Sequence, residues 1–126
     1  MEKGPEEWFA QAEYDMSNAI YMLDGGRYFD AVFMCHLSIE KALKGLYQKM
    51  QEVVPPKVHN LVFLIEKIGL ELPQYLYDSV FLINRIGILT RYPESLTKID
   101  NDFDTERTKE IFERNSEALK WLKAQL

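Results

Sequence analysis

The chain has 126 residues, of which 47% are hydrophobic and 13% aromatic, and its formal net charge is -5. This length and apolar content are typical of one domain with one core, so we predict a single domain over residues 1–126. The negative charge argues against broad, non-specific attraction to nucleic acid, although a local basic pocket remains compatible with phosphate binding.

The apolar segments are too short and too interrupted for a membrane span. The longest one, residues 39–50, contains several charged residues, whereas a span requires about 18 uncharged residues. The first residues are acidic, where a signal peptide carries positive charge. The single cysteine, Cys35, excludes an intrachain disulfide, and its apolar neighbours favour a small buried side chain. We therefore expect a cytoplasmic protein that contacts no membrane.

Two long helices are predicted in the first half of the chain. Apolar residues recur at steps of three and four from Glu6 until Gly25 and Gly26, which end the helix. A second helix is predicted from about Tyr28 to about Gln51, and its first half is apolar on nearly every face, which is typical of a central helix. The short turn predicts that the two are antiparallel. Their predicted core consists of Phe9, Ala12, Met16, Ala19, Ile20, Leu23, Val32, Cys35, Ile39, Ala42, Leu43, Leu46 and Met50.

A loop and a short helix follow. Pro55 and Pro56 are incompatible with a helix interior, so residues 54–56 are predicted to form a loop. Asn60 is a suitable N-cap and Gly69 a suitable stop for a third helix.

Two further helices complete the pattern. Pro73 suits the first turn of a fourth helix, which the Tyr92-Pro93 pair ends. A polar, acidic stretch then leads to a fifth helix, with Asp104 or Thr105 as its N-cap. The sequence thus predicts an all-α fold, an up-and-down helical bundle of about five helices.

Charged residues interrupt the second helix. His36, Glu40 and Lys44 are four residues apart and form one polar stripe, with Lys41 beside it. The spacing alone favours an ordinary ion pair between Glu40 and Lys44 at the rim of the bundle, worth about 0.3–0.5 kcal/mol. His36 has apolar neighbours, which favours a core or interface histidine over a metal ligand.

The remaining candidate for ligand binding is the Arg91-Tyr92 pair at the end of the fourth helix. Arginine suits phosphate or carboxylate, and tyrosine stacks on a base. The structural alternative is a cation that stabilises the helix C-terminus beside a packed aromatic ring. Two histidines and one cysteine give no zinc-site spacing, and the acidic stretch 100–104 lacks the glycine and glutamate of a calcium loop, so no metal or cofactor is predicted.

Several motifs in this order resemble the HEPN family, the higher-eukaryote and prokaryote nucleotide-binding domain. The resemblance covers most of the chain. The matching positions are Trp8, Ala12 and Asp15, then Gly26 and Tyr28, the Ile39-Glu40-Lys41-Ala42-Leu43-Lys44 run, Pro56 with Val58-His59-Asn60-Leu61, and Arg91-Tyr92-Pro93-Glu94.

The resemblance implies a helical bundle that commonly dimerises, and small prokaryotic members are often encoded beside a minimal nucleotidyltransferase, some as toxin–antitoxin pairs. In the ribonuclease branch, metal-independent RNA cleavage depends on an arginine and a following histidine that are separated by four to six residues. Here Leu96, Thr97 and Lys98 occupy those places after Arg91, and no histidine follows Arg85. The ribonuclease motif is therefore absent, and the sequence argues against an enzyme.

We therefore expect a non-catalytic, homodimeric HEPN protein that binds a nucleotide or an RNA phosphate, or pairs with a nucleotidyltransferase. One alternative is a metal-independent endoribonuclease, in which Arg91 stabilises the scissile phosphate and His59 replaces the missing histidine. Another is a purely structural bundle that dimerises through the apolar face of helices two and four. The residues expected to contact or border the ligand are Glu40, Lys41, Lys44, His59, Arg91 and Tyr92.

Overall fold

The described part of the chain contains five α-helices. The computed structural model describes residues 3–91 and 105–126, the side chains of 88–91 and 105 excepted. Within these ranges all regular structure is helical, which confirms the predicted all-α bundle. None of the helices in the described ranges is long and apolar enough to cross a membrane. The helices are α1 (Pro5–Asp24), α2 (Tyr28–Gln51), α3 (Leu61–Ile68), α4 (Gln74–Arg91) and α5 (Thr105–Ala124).

The helix boundaries fall where the sequence predicts them. Gly26 lies between α1 and α2 with φ +77°, a left-handed conformation that glycine adopts without strain. The side chain of Asn60 caps α3 by accepting a hydrogen bond from the backbone N–H of Phe63 at 3.1 Å. Gly69 ends α3, also with φ +77°. Local chemistry therefore explains both ends of this short helix.

The last two helices also begin near their predicted starts. Helix α4 begins at Gln74, immediately after Pro73, and ends at Arg91. Helix α5 begins at Thr105, one of the two predicted caps, whereas Asp104 lies outside the described residues.

Helix α2 is the central element, because it contacts all four other helices. Its contact with α1 is especially close at Gly45, where an added Cβ atom would lie 2.9 Å from Cβ of Trp8. The hydroxyl of Ser38 donates a hydrogen bond to the backbone carbonyl of Ala12 across the same interface, at 2.6 Å. A small residue and a satisfied buried hydroxyl thus allow the two helix backbones to approach each other.

Three predicted core residues are not fully buried. Met50 is 52% exposed and Ile20 43% exposed, and Leu23 is partly buried. Helix α2 has 24 residues and α1 only 20, so the apolar period continues in α2 beyond the end of its neighbour. Ile20 borders an open groove between α1 and α5. The prediction was wrong at Met50 and Ile20, because periodicity identifies a face of a helix and not how far its neighbours cover that face, whereas Leu23 still packs against the core.

Cys35 is completely buried, as the sequence predicts. Burial disfavours the charged thiolate and raises the pKa of the Cys35 thiol far above its ordinary value. This thiol is therefore a packing group in the folded protein.

Candidate functional site

A buried carboxylate lies at the centre of the candidate site. Glu40, on α2, is only 3% exposed. Its Oε2 accepts a hydrogen bond from Nζ of Lys44 at 3.1 Å, and its Oε1 lies 3.0 Å from Nδ1 of His59. The sequence interpretation of an ordinary ion pair at the rim is wrong, because Lys44 is itself only 8% exposed. The structure therefore joins three of the predicted site residues, Glu40, Lys44 and His59, in one cluster.

His59 is the exposed member of this cluster. It belongs to the segment between α2 and α3, and its side chain is 57% exposed, whereas that of Glu40 is 4% exposed. Asn60, the next residue, caps α3, so the position of His59 is fixed by the start of that helix. The cluster thus extends from a buried charge to the protein surface.

His36 forms the inner boundary of the cluster. Its Nδ1 lies 3.9 Å from Oε1 of Glu40, which is beyond hydrogen-bonding distance, and the residue is 2% exposed. Gly87 of α4 lies against its ring, and a Cβ atom added there would be 2.5 Å from Cδ2 of His36. The predicted core or interface histidine is thus a buried residue between α2 and α4.

Asn84 of α4 connects the surrounding elements, and the sequence interpretation did not identify it. Its Oδ1 accepts a hydrogen bond from the backbone N–H of Leu61 at 2.8 Å, and its Nδ2 donates to Oδ1 of Asn60 at 3.3 Å. Asn84 is 6% exposed. The available signal was an uncharged polar residue among the apolar residues of α4, which suggests a buried hydrogen bond but does not identify the partner.

Lys41 has a different environment from Lys44. Its Nζ lies 2.8 Å from Oδ2 of Asp15 on α1, and the two side chains are 20% and 6% exposed. Successive residues of a helix are about 100° apart, so Lys41 faces α1 while Glu40 faces the segment around His59. The structure therefore places Lys41 in an interhelical ion pair and not in the Glu40 cluster.

The backbone of Arg91, one of the two remaining predicted site residues, lies at the end of α4. Arg91 is its last residue, four positions after Gly87, which corresponds to a rise of about 6 Å along the helix. The side chain of Arg91 and the whole of Tyr92 lie outside the described residues.

A separate groove lies between α1 and α5 and has a volume of about 560 Å³. Met16 and Leu119 form part of its apolar lining, and Lys123 pairs with Glu13 at its edge at 2.6 Å. Among the predicted site residues whose side chains are described, none lines this groove.

The Glu40 cluster has the chemistry of an anion-binding or proton-carrying site. A lysine ammonium has three N–H donors, and Glu40 accepts one hydrogen bond from Lys44. Histidine is the side chain whose ordinary charge change falls near neutral pH. A buried carboxylate beside both groups keeps them in place and balances one positive charge.

Comparison with known proteins identifies the family. The HEPN domain model matches residues 5–125. The crystal structure of ST0689, an archaeal HEPN homologue, is 25% identical in sequence, with a TM-score of 0.76 over 98% of each chain. TT1696 from Thermus thermophilus is 20% identical and shares the fold, with a TM-score of 0.79 over 97% of this chain and 98% of the other. No curated protein sequence matches. With a family match over nearly its whole length, the chain belongs to the HEPN domain family.

Proposed function

We propose that this protein is a non-catalytic HEPN protein that binds a nucleotide or an RNA phosphate at the surface around His59. The observation that carries the proposal is the Glu40 cluster, in which one buried carboxylate holds Lys44 at 3.1 Å and His59 at 3.0 Å. Burying a charge costs several kcal/mol before its partners compensate, so an apolar residue would serve a purely structural helix at least as well. Clusters of this kind are common at functional sites.

Each member of the cluster has a role in this proposal. The Lys44 ammonium supplies positive charge and its remaining N–H donors, while His59 supplies a ring nitrogen at the surface. Glu40 orients both and does not contact the ligand. Lys41 contributes to the α1–α2 interface, because Asp15 already holds its ammonium at 2.8 Å.

Arg91 adds a guanidinium to the ligand contacts in the proposal, and Tyr92 a stacking ring. The backbone of Arg91 ends the helix that carries Asn84 and Gly87, and Gly87 lies against His36, which supports a place for Arg91 near the cluster. Charge-assisted hydrogen bonds from arginine or lysine to phosphate are roughly twice as strong as neutral ones.

A thermal-shift panel of nucleotides and short RNAs tests the proposal on the wild type, His59→Gln and Arg91→Ala. A ligand that binds only the folded state at 100 times its Kd adds about 2.7 kcal/mol of stability, so the wild type is expected to gain several degrees in Tm. Both variants should gain less. Lys120→Ala, an exposed lysine at the α1–α5 groove, is the matched control and should respond as the wild type does. If no ligand raises the Tm of the wild type, the binding proposal fails.

A pairing function, with a second copy or with a minimal nucleotidyltransferase, is supported by exposed aromatic residues. Phe33 on α2 is 38% exposed and Phe81 on α4 is 49% exposed. Light scattering of the purified protein tests the homodimer, and Phe81→Glu should shift a dimer toward monomer. Co-purification with a nucleotidyltransferase encoded by an adjacent gene tests the second pairing and its toxin–antitoxin character. A monomer that captures no such enzyme would exclude both.

The endoribonuclease alternative relies on His59 as the acid–base group. Its support is the hydrogen bond to Glu40, since a carboxylate that orients a histidine is a frequent arrangement in acid–base catalysis. Incubation of the protein with structured and single-stranded RNA, with and without a metal chelator, tests it. Intact RNA, in an assay where a family ribonuclease cleaves in parallel, would refute catalysis.

A further inference from the structure

The Glu40 carboxylate determines which nitrogen of His59 carries the proton. A carboxylate is a hydrogen-bond acceptor, and its Oε1 lies 3.0 Å from Nδ1, so Nδ1 must be the donor. The Lys44 ammonium, 3.1 Å from Oε2, supplies the balancing positive charge for the carboxylate. The neutral form of His59 in this position therefore has N–H at Nδ1 and a free electron pair at Nε2.

The other ring nitrogen lies on the edge of the ring away from Glu40. Nδ1 lies against a carboxylate that is 4% exposed, whereas the His59 side chain as a whole is 57% exposed, so we infer that the edge with Nε2 is open to a ligand. A phosphate oxygen is an acceptor only, so a neutral His59 offers it no hydrogen bond from Nε2. The protonated ring does, because both nitrogens are then donors.

The charged groups around His59 also indicate that protonation of its ring favours phosphate binding. From α2, Glu40 and Lys44 balance each other, and His36 is 3.9 Å from Oε1 and only 2% exposed. From α4, the described neighbours of the loop include Asn84, which carries no charge. Protonation of His59 therefore adds one positive charge to the cluster.

Lys57 is the nearest charged residue of the same loop, two positions before His59, and is exposed. The ordinary pKa of a lysine side chain, about 10.4, is far above the range in which histidine titrates. Lys57 therefore adds a constant attraction to phosphate at every pH and leaves the pH dependence to His59.

We propose that His59 is a proton-linked phosphate contact, so that binding of an RNA phosphodiester at this site takes up one proton and strengthens as the pH falls. The inference rests on the proposed function and adds to it the residue that sets affinity and the protonation state that binds. Where binding requires a proton that the free ring lacks, linkage predicts a loss of up to about tenfold in affinity for each unit rise in pH.

A penta-uridylate without terminal phosphate, labelled with a rhodamine dye that does not titrate between about pH 6 and about pH 8, is a suitable probe, because its phosphodiesters also keep their charge in this range, in which histidine titrates. Its Kd, measured by anisotropy across this range at constant ionic strength, should rise toward about tenfold per unit at the upper end. Calorimetry in two buffers of different ionisation enthalpy should give the uptake of up to one proton. His59→Gln keeps a side chain that can donate to Glu40 but removes the titration, so its Kd should not depend on pH.

Lys57→Gln is the matched control, since it removes a neighbouring positive charge without removing a titrating group. Its Kd should be weaker by a similar factor at every pH, with the slope unchanged. A wild-type Kd that is independent of pH, or a pH dependence that persists in His59→Gln, would overturn the inference while leaving phosphate binding intact. Absence of binding at every pH would overturn the proposed function, and with it the proton-linked contact.

The tautomer has its own test in the ligand-free protein. Long-range ¹H–¹⁵N spectra distinguish a protonated Nδ1 from a protonated Nε2 at a pH where the ring is neutral. The structure predicts the Nδ1–H form for His59, and the Nε2–H form would contradict the inference whether or not RNA binds.

Discussion

The close contact between Gly87 and His36 predicts that Gly87→Ala destabilises the wild type but not a variant that lacks the His36 ring. In Gly87→Ala, the new Cβ atom would lie 2.5 Å from Cδ2 and 2.8 Å from Cγ of the His36 ring. The ring is buried at 2% exposure, so it cannot move into solvent. Overpacking in a core costs about 1–3 kcal/mol, and contacts this short belong to the upper part of that range.

Helix propensity acts in the opposite direction. Replacing glycine by alanine within a helix is worth about 1 kcal/mol. The net loss in the free energy of unfolding for Gly87→Ala is therefore about 1–2 kcal/mol, or about 3–10 °C in Tm for a chain of this size.

In a His36→Ala background the same substitution should be neutral or stabilising by up to about 1 kcal/mol, because the ring atoms are gone. The remaining neighbour, Cβ of residue 36, is 3.2 Å away, a contact that a small shift relieves. Urea denaturation of the wild type, both single variants and the double variant measures this difference. An equal effect of Gly87→Ala in both backgrounds would refute the argument that the His36 ring and Gly87 are in direct steric contact.

Three other consequences of the structure can be measured by standard methods. Lys44→Met should lower the free energy of unfolding by about 3–5 kcal/mol, because the buried Glu40 carboxylate loses the Lys44 ammonium. The double variant Glu40→Gln/Lys44→Met should recover part of this loss. An equal loss in the single and double variants, measured by urea denaturation, would contradict the prediction. Asn84→Leu should lower the free energy of unfolding by about 1–3 kcal/mol, because the buried Leu61 N–H loses its acceptor. Hydrogen exchange of the Leu61 amide should accelerate in this variant, and unchanged exchange would argue against the hydrogen bond. Burial raises the pKa of Cys35 in the folded state, so the folded state keeps the thiol proton that the unfolded state loses above about pH 8.5. The free energy of unfolding of the wild type should therefore fall, relative to that of Cys35→Ala, as pH rises above that value. Parallel pH profiles of the two proteins would contradict this prediction.

The helices could be predicted because their ends are determined by nearby residues. Gly26 and Gly69 have the left-handed backbone that ends a helix, and Asn60 caps α3 with its own side chain. These effects are local, so the residues next to each helix end are enough to predict them. The family could also be predicted, since its motifs are short runs of residues that keep their order along the chain.

The arrangement of the site depends on contacts between distant residues, and the sequence predicted it incompletely. Spacing placed Glu40 and Lys44 on one stripe, but whether α4 and the His59 segment cover that stripe depends on how α4 packs against α2. For the same reason, Lys41 was grouped with Lys44, although Asp15 on another helix holds it. Asn84 was missed because its partners are 23 and 24 residues away along the chain.

The buried position of Glu40 also restricts how this sequence can diverge. Its carboxylate contacts the buried Lys44 on α2 and the exposed His59 on the following segment, so a change at Glu40 or Lys44 removes the counter-charge of the other buried group. Single replacements therefore pass through a destabilised intermediate, while simultaneous replacements need not. Such epistasis would retain the cluster in descendants that no longer bind any ligand. In comparisons among relatives, loss of the exposed His59 would thus be a better marker of lost binding than loss of Glu40 or Lys44.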